Sequence, residues 1–462
     1  MYTNKIYSKE RVSEKPSPVV WIHGKKVETG YLKHVFNIFK YLGYSTYSQP
    51  KLNWDVLWTH DYPFLELVDD LTKLKPHQKV NHFPGSGFIT NKVNLATTPF
   101  DFVPKAFKIP AGIKALKAHS KKFPEKLWIQ KSNNHRGIKI LPINELDLSK
   151  SGSFIQEYIS NPLLIDGQKF DIGIYTILTS IHPLRVYVLE SDALFRFCPE
   201  KYYPFDPSIA DKYVVGDNYT PMWEMPTFSK VFYQGYSFKE SFNYYLRSQD
   251  RDPEAFWNKI KAAITNVYLE KEKYIFQSTK HYKSSRNFFE MVRFDFVLDE
   301  HFNIYLMEAN MSPNLSSAHH VRNTRLYEHV IYNLLKLVGL NSLSSLNFPN
   351  IIQNNNMEVS DVDINVYADQ CISQECENTG CKTWECRLCS YCMTVSEKQI
   401  VKMAYLEHKN REACQRIFPP IARNFQELQT KIQAIFSKLN EPNKLITLWF
   451  LGKCQQDFTW CH

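Results

Sequence analysis

The sequence predicts a mixed α/β (α+β) protein built from more than one unit, and three observations carry that expectation. The chain has 462 residues, 44% of them hydrophobic and 22% charged, which exceeds the usual size of one domain and allows sizeable cores. Near the amino terminus, short apolar runs alternate with helical patterns. The middle of the chain is β-rich and closes on MVRFDFVLDEHFNIYLMEAN (residues 291–310), whose period-2 alternation marks a hairpin.

Taken in order, residues 1–18 are polar and charged with no apolar core of a secretory signal, and read as a disordered lead-in. Residues 19–110 carry VVWIHG, YLKHVFNIFKYLG and WDVLWTH, a small α/β domain. Within it NHFPGSGFITNK is a Gly-rich turn entering a helix or strand, and the proline-bracketed FVPKAFKIP reads as a connector. The spacing of a phosphate-cradling P-loop occurs nowhere. Residues 111–340 hold the strand patterns LWIQKS, IKILPI, SFIQEYI, KFDIGIYTILTS, LRVYVLES and LFRFC, then an irregular insertion from Pro199 to Pro226. Helical periodicity follows at 253–275 and 322–340. Residues 341–365 read as a linker and 366–462 as a cysteine-rich extension. No stretch approaches about 20 consecutive apolar residues, so no membrane span is expected. The net charge of +9 allows an acidic partner, nucleic acid or nucleotide phosphates without selecting among them.

The hairpin carries the chemistry. Alternation puts Arg293 and Asp295 on one face, and Glu308 and Asn310 share a side of the returning strand. A four-residue loop would set Asp295 opposite Glu308, giving two carboxylates and a carboxamide suited to Mg²⁺. Lys131 ends a strand before the polar loop SNNHRG, which contains Arg136 and Gly137, an arrangement able to hold phosphates. Lys169 and Asp171 share a face of a later strand. Taken singly, each of these residues reads as an ordinary surface side chain; their order is what distinguishes them.

That order, with NHFPG, WIQKSNNHRGIKIL, FIQEYISNPLLIDGQKFDIGIY, PLRVYVLESDALFRF and FDFVLDEHFNIYLMEANMSP, resembles the ATP-grasp fold and more specifically the tubulin tyrosine ligase-like family, over residues 80–340. The resemblance implies an ATP- and Mg-dependent ligase that joins an amino acid, glutamate above all, to carboxylates of tubulin tails through an acyl phosphate. It implies tubulin or microtubules and a free amino acid as partners rather than nucleic acid. By the same resemblance Lys131 and Lys169 contact phosphates, Gln156, Glu157, Tyr158 and Ile159 read adenine, and Asp171 lies near the ribose and phosphates. Asp295, Glu308 and Asn310 are then the metal ligands, and Arg196 grips the acceptor or the incoming amino acid.

The chain departs from the family pattern at Glu157, where Lys is usual, at Gly173, where Arg is usual, and at Arg293, where Gly is usual. Loss of an arginine at Gly173 removes a bidentate clamp and raises a second reading, a weakened or inactive member acting as a tubulin- or nucleotide-binding scaffold. Arg293 projects toward the metal-ligand face, so it either supplies the missing charge or pairs with Asp295 and blocks the metal.

The extension reads C371-x4-C376-x4-C381-x4-C386-x2-C389-x2-C392, with Cys414, Cys454 and Cys461 beyond. Cys-x-x-Cys pairs in an intracellular protein point to structural zinc, whereas an oxidising compartment would make the same density disulfides. With no secretory signal visible, the expectation is a cytoplasmic, cytoskeleton-associated protein with zinc, or a lumenal one if the run is disulfide-bonded. Cys198 reads as a free buried thiol.

Overall fold

A computed structural model describes residues 17–50, 53–132, 138–149, 151–340 and 359–462. The amino-terminal unit is a parallel sheet of β1 (Val19–His23), β2 (Ser45–Tyr47), β3 (Val56–Thr59) and β4 (Lys79–Val80) in the order β2-β1-β3-β4. The helix Lys33–Tyr41 links β1 to β2 and buries Val35, Ile38 and Phe39, as its helical spacing of apolar residues requires.

A second, antiparallel sheet contains β5 (Ala106–Lys108), β6 (Trp128–Ser132), β7 (Lys139–Leu141) and β8 (Ser153–Glu157) in the order β5-β8-β6-β7. FVPKAFKIP is therefore not a bare connector: Ala106–Lys108 pairs with Phe154–Gln156. Its flanking prolines are compatible with that because β5 is an edge strand, and prolines just outside it remove no ladder hydrogen bond.

The central sheet is organised by β10 (Gln168–Ile181), after the short β9 (Leu164–Ile165). Phe170–Gly173 pairs with β12 (Leu194–Phe197), and Thr176–Ile181 pairs with β11 (Leu184–Leu189). The other edge of β10 runs along β14 (Glu290–Leu298), which pairs with β15 (Ile304–Asn310). The helix Pro253–Thr279 covers the sheet with Ile260, Ile264, Val267, Tyr268 and Ile275, and Asn323–Leu337 forms a further helix near the expected span. The stretch from Pro199 to Pro226 is largely irregular, holding only a short 3-10 turn and β13 (Thr220–Pro221) before the next 3-10 turn and helix begin.

One continuous apolar core runs through the amino-terminal and central sheets. Buried polar groups join them as well. His82 Nδ1 lies 2.6 Å from Glu290 Oε1, His82 Nε2 lies 2.9 Å from the Thr59 carbonyl, and the Phe83 N–H donates to Glu290 Oε2 at 2.8 Å. NHFPG thus fastens β4 to the start of the β14–β15 hairpin.

The carboxyl-terminal extension has a core of its own around Trp449, Trp460, Ile446 and Leu428, yet its β16 (Cys414–Phe418) pairs with β11 of the central sheet. From the helix Val395–Asn410, Glu407 accepts from Arg185 Nε at 2.8 Å and Nη2 at 2.9 Å, and from Thr179 Oγ1 at 2.9 Å. Most of the expected linker, 341–358, lies outside the described residues, while Val359 and Ile364 are already buried in the extension's core.

The zinc expectation is corrected. Cys371 bonds Cys389, Cys376 bonds Cys386, Cys381 bonds Cys392 and Cys454 bonds Cys461. Each cysteine of the two-spaced half joins one from the four-spaced half, so the thiolates needed for zinc are consumed. Cys198 and Cys414 are free and buried, as expected for Cys198. Among the described residues, no helix is long and apolar enough to cross a membrane.

Candidate active site

The hairpin brings Asp295 opposite Glu308, and Arg293 opposite Asn310, by a route the sequence did not show. Residues 299–303 connect the strands, and Leu298, Val297 and Phe296 face Ile304, Tyr305 and Leu306. Continued unbroken, that register would face Asp295 with Met307. It shifts instead between Phe296 and Asp295, leaving Met307 as an extra residue. The bulge turns Glu308 and Asn310 onto the Asp295 face while Leu306 and Ala309 stay in the core. The loop is held by Asp299, whose Oδ1 accepts from the His301 and Asn303 N–H groups at 3.0 and 2.9 Å.

The expected residues form one ionic lattice. Arg196 on β12 grips Asp171, its register partner on β10, through Nε at 2.9 Å and Nη2 at 2.7 Å, and reaches Asp295 Oδ2 at 3.0 Å. Arg293 grips Asp295 through Nε at 2.7 Å and Nη2 at 2.9 Å. Asn310 Nδ2 donates to Asp295 Oδ2 at 2.9 Å and to Glu308 Oε1 at 3.1 Å. Lys92, not foreseen from the sequence, meets Glu308 Oε2 at 2.8 Å from the first turn of the helix Lys92–Ala96. Three carboxylates thus face three cations.

Burial pushes the Asp171 carboxyl up to about 6, with Arg196 opposing and Asp295 adding. At Glu308 burial works upward too, but Lys92 and Asn310 hold the carboxyl below its ordinary range. Burial disfavours the Arg293 charge, yet Asp295 holds its pKa well above the ordinary value.

Donor chemistry decides how well a divalent ion fits. Glu308 and Asn310 are partly exposed, and the Lys92–Glu308 pair is 20% and 30% exposed, so water and ligands can exchange there. The Arg293–Asp295 pair is only 5% and 2% exposed and does not exchange on those terms. Glu308 and Asn310 fit a metal; Asp295 as held does not.

On the facing antiparallel sheet, Lys131 Nζ donates to Gln156 Oε1 at 3.1 Å, and Gln156 Nε2 donates to the Pro104 carbonyl at 3.1 Å. Burial lowers the Lys131 ammonium to about 8, against the pull of Glu308 and with Lys92 and Lys169 adding. Lys169 Nζ donates to the Tyr213 carbonyl at 3.0 Å and lies 5.1 Å from the centre of the Tyr158 ring. Tyr213, in the irregular insertion, carried no sequence signal for this part. Glu157 turns the other way and meets His119 Nε2 at 2.6 Å, as alternation after Gln156 requires. The N–H groups of Glu157 and Tyr158 donate to the carbonyls of Lys105 and Leu127, each at 2.9 Å. Ile159 follows the strand and is half-buried. Arg136 and Gly137 lie outside the described residues. Beyond Asn310, a groove of about 940 Å³ opens beside Met311, lined by Phe64, Gly85, Phe88, Asn91 and His281.

The model of the Tubulin-tyrosine ligase family matches residues 70–346. A "Probable tubulin polyglutamylase ttll-15" of Caenorhabditis elegans is 40% identical over 470 residues, covering 98% of this chain and 88% of that protein. The human "Tubulin monoglutamylase TTLL4" is 31% identical over 58% of this chain and 24% of its own length. The Xenopus tropicalis "Tubulin polyglutamylase TTLL7" is 28% identical over 59% of this chain and 33% of its own. With more than half its length matched by the family model, the chain belongs to the tubulin-tyrosine ligase family.

Proposed function

We propose that this protein is an ATP-dependent carboxylate–amine ligase that adds glutamate to acidic tails, those of tubulin first, through an acyl phosphate. The observation that carries the reading is that Asp171, Arg196, Glu308 and Asn310 are linked on the central sheet through Asp295, with Lys169 near enough to feel Asp171 and Lys131 of the second sheet near enough to feel Glu308. The polyglutamylase names of the relatives support the choice of glutamate and of tubulin.

A carboxylate is a poor electrophile, so the acceptor must first be given a leaving group. One of its oxygens attacks the γ-phosphorus, the bond to the β-phosphate oxygen breaks, and ADP leaves. The amino group of glutamate then attacks the acyl carbon and inorganic phosphate departs with the oxygen that had belonged to the acceptor. The protein's work is alignment and charge neutralisation. Lys131 and Lys169 hold phosphates, with Gln156 and the Tyr213 carbonyl orienting their ammonium groups. Since the N–H groups of Glu157 and Tyr158 are committed to the sheet, base recognition falls to the Ile159 N–H and to carbonyls of the same segment. Magnesium, entering with the nucleotide, would neutralise phosphoryl charge, and Glu308 and Asn310 would hold it.

The Arg293–Asp295 pair favours a second reading, a nucleotide-binding scaffold without transfer. Incubation with ATP, labelled Glu, Gly or Tyr, and microtubules separates the two. Incorporation of label supports the ligase, and co-sedimentation without incorporation supports the scaffold.

The four disulfides support a proposal about location too: maturation in an oxidising compartment rather than the cytoplasm. A glutamate-rich peptide is therefore the second acceptor to test after tubulin. Protease protection of the cellular protein in intact membranes checks this, and free accessibility in cytosol would contradict it.

A further inference from the structure

We propose that Arg293 withdraws Asp295 from metal binding and stands in its place as a fixed internal cation, so that a divalent ion is held by Glu308, Asn310 and nucleotide oxygens alone. An ionised carboxylate offers about four lone-pair sites. On Asp295, Oδ2 is filled by Arg293 Nη2, Arg196 Nη2 and Asn310 Nδ2 at 2.9, 3.0 and 2.9 Å, and Oδ1 takes Arg293 Nε at 2.7 Å, which leaves one site on Oδ1 of a carboxylate only 2% exposed. A metal ion would need either a filled site on Oδ2 or the one left on Oδ1, beside the guanidinium charge, and the buried guanidinium has nowhere solvated to go.

Gly173 shows that this arrangement is built into the neighbouring strand. Gly173 is the register partner of Asp295 on β10, inside an ordinary extended strand, so its backbone does not call for glycine. Space does. A Cβ there would stand 2.8 Å from Arg293 Cδ, 3.2 Å from Arg293 Nε and 3.2 Å from Asp295 Oδ1. Gly173 and Arg293 are sterically complementary, and any side chain at 173 would force the Arg293 side chain to shift where it grips Asp295. The departures at these two positions are thus one coupled change in the site.

The proposal rests on the ligase reading only for the nucleotide, so Mn²⁺ is the probe, with electron paramagnetic resonance counting free ion over the intact chain. With a non-hydrolysable ATP analogue, Asp295→Asn should leave Mn²⁺ affinity within about twofold, whereas Glu308→Gln should weaken it about tenfold or more. Without nucleotide, Arg293→Met should strengthen Mn²⁺ binding about tenfold, and Asp295→Asn added to it should cancel the gain. Gly173→Ala, which crowds Arg293 without removing it, should shift affinity in the same direction and serves if the Met variant does not fold. Unchanged or weaker Mn²⁺ binding in Gly173→Ala and Arg293→Met, or a tenfold loss in Asp295→Asn alone, would overturn the proposal. Failure of the analogue to bind in any form of the protein counts against the ligase reading instead, since the nucleotide-free titrations still decide the role of Arg293.

Discussion

Asp295 on β14 and Glu308 on β15 are register partners because Met307 is bulged out of the ladder between them. That one extra residue converts a half-buried strand end into the place where two carboxylates, two guanidinium groups and a carboxamide meet. Bulges next to functional sites re-aim side chains in this way, and here the bulge decides which face Glu308 occupies.

Glu308→Gln is expected to lower ATP turnover at least about 100-fold while Tm moves by only about 2 °C, since the carboxylate sits at a partly exposed rim. Steady-state ATPase assays and calorimetry on the same sample check it. Retained turnover would remove this residue from the chemistry.

Lys131 gives the site a pH dependence of definite sign. Its ammonium is lowered from 10.5 to about 8, so the charge that holds phosphate is present below pH 8 and lost as pH rises through it. Nucleotide affinity should fall across that range, and Lys131→Arg should remove the fall. Stability should respond in the opposite sense. The unfolded chain binds more protons between about 8 and 10.5, so this group's contribution to stability rises with pH there. Affinity and denaturation series on one buffer set test both.

Much of this site was legible because strand alternation is local. Lys169 with Asp171, and Arg293 with Asp295, follow from a period of two, whereas Gln156 and Glu157 were read together and the structure gives them different partners. The bulge at Met307 was not legible, because it depends on where the loop closes. Lys92 and Tyr213 were missed for a related reason: a lysine in a helix's first turn and a backbone carbonyl in an irregular segment carry no pattern of their own. The cysteine run was read toward zinc because no secretory signal was visible, and the disulfides were missed because spacing alone cannot report which half pairs with which. The resemblance located the fold, and the steric link between Gly173 and Arg293 needed the sheet register.

The extension should be inseparable from the central sheet. Glu407→Gln leaves Arg185 buried with a weakened partner, and destabilisation of about 3–5 kcal/mol is expected from urea unfolding. A change below about 1 kcal/mol would mean that the pair is not a structural tie.

Thiol chemistry tests the pairing directly. Denatured without reductant, the protein should present two reactive thiols, Cys198 and Cys414, and after reduction all ten cysteines. Elemental analysis should find no stoichiometric zinc. One zinc per chain with free thiols in 371–392 would contradict the disulfide framework.

The acyl-phosphate claim is tested most directly by oxygen transfer from the acceptor. A glutamate-rich acceptor carrying ¹⁸O in its side-chain carboxylates is incubated with the protein, ATP and glutamate, and the released phosphate is read by mass spectrometry. Ligation through an acyl phosphate is expected to place one ¹⁸O in phosphate for each amide formed, with the signal lost in Glu308→Gln. Phosphate without label, or no phosphate release while the nucleotide remains bound, would contradict the account.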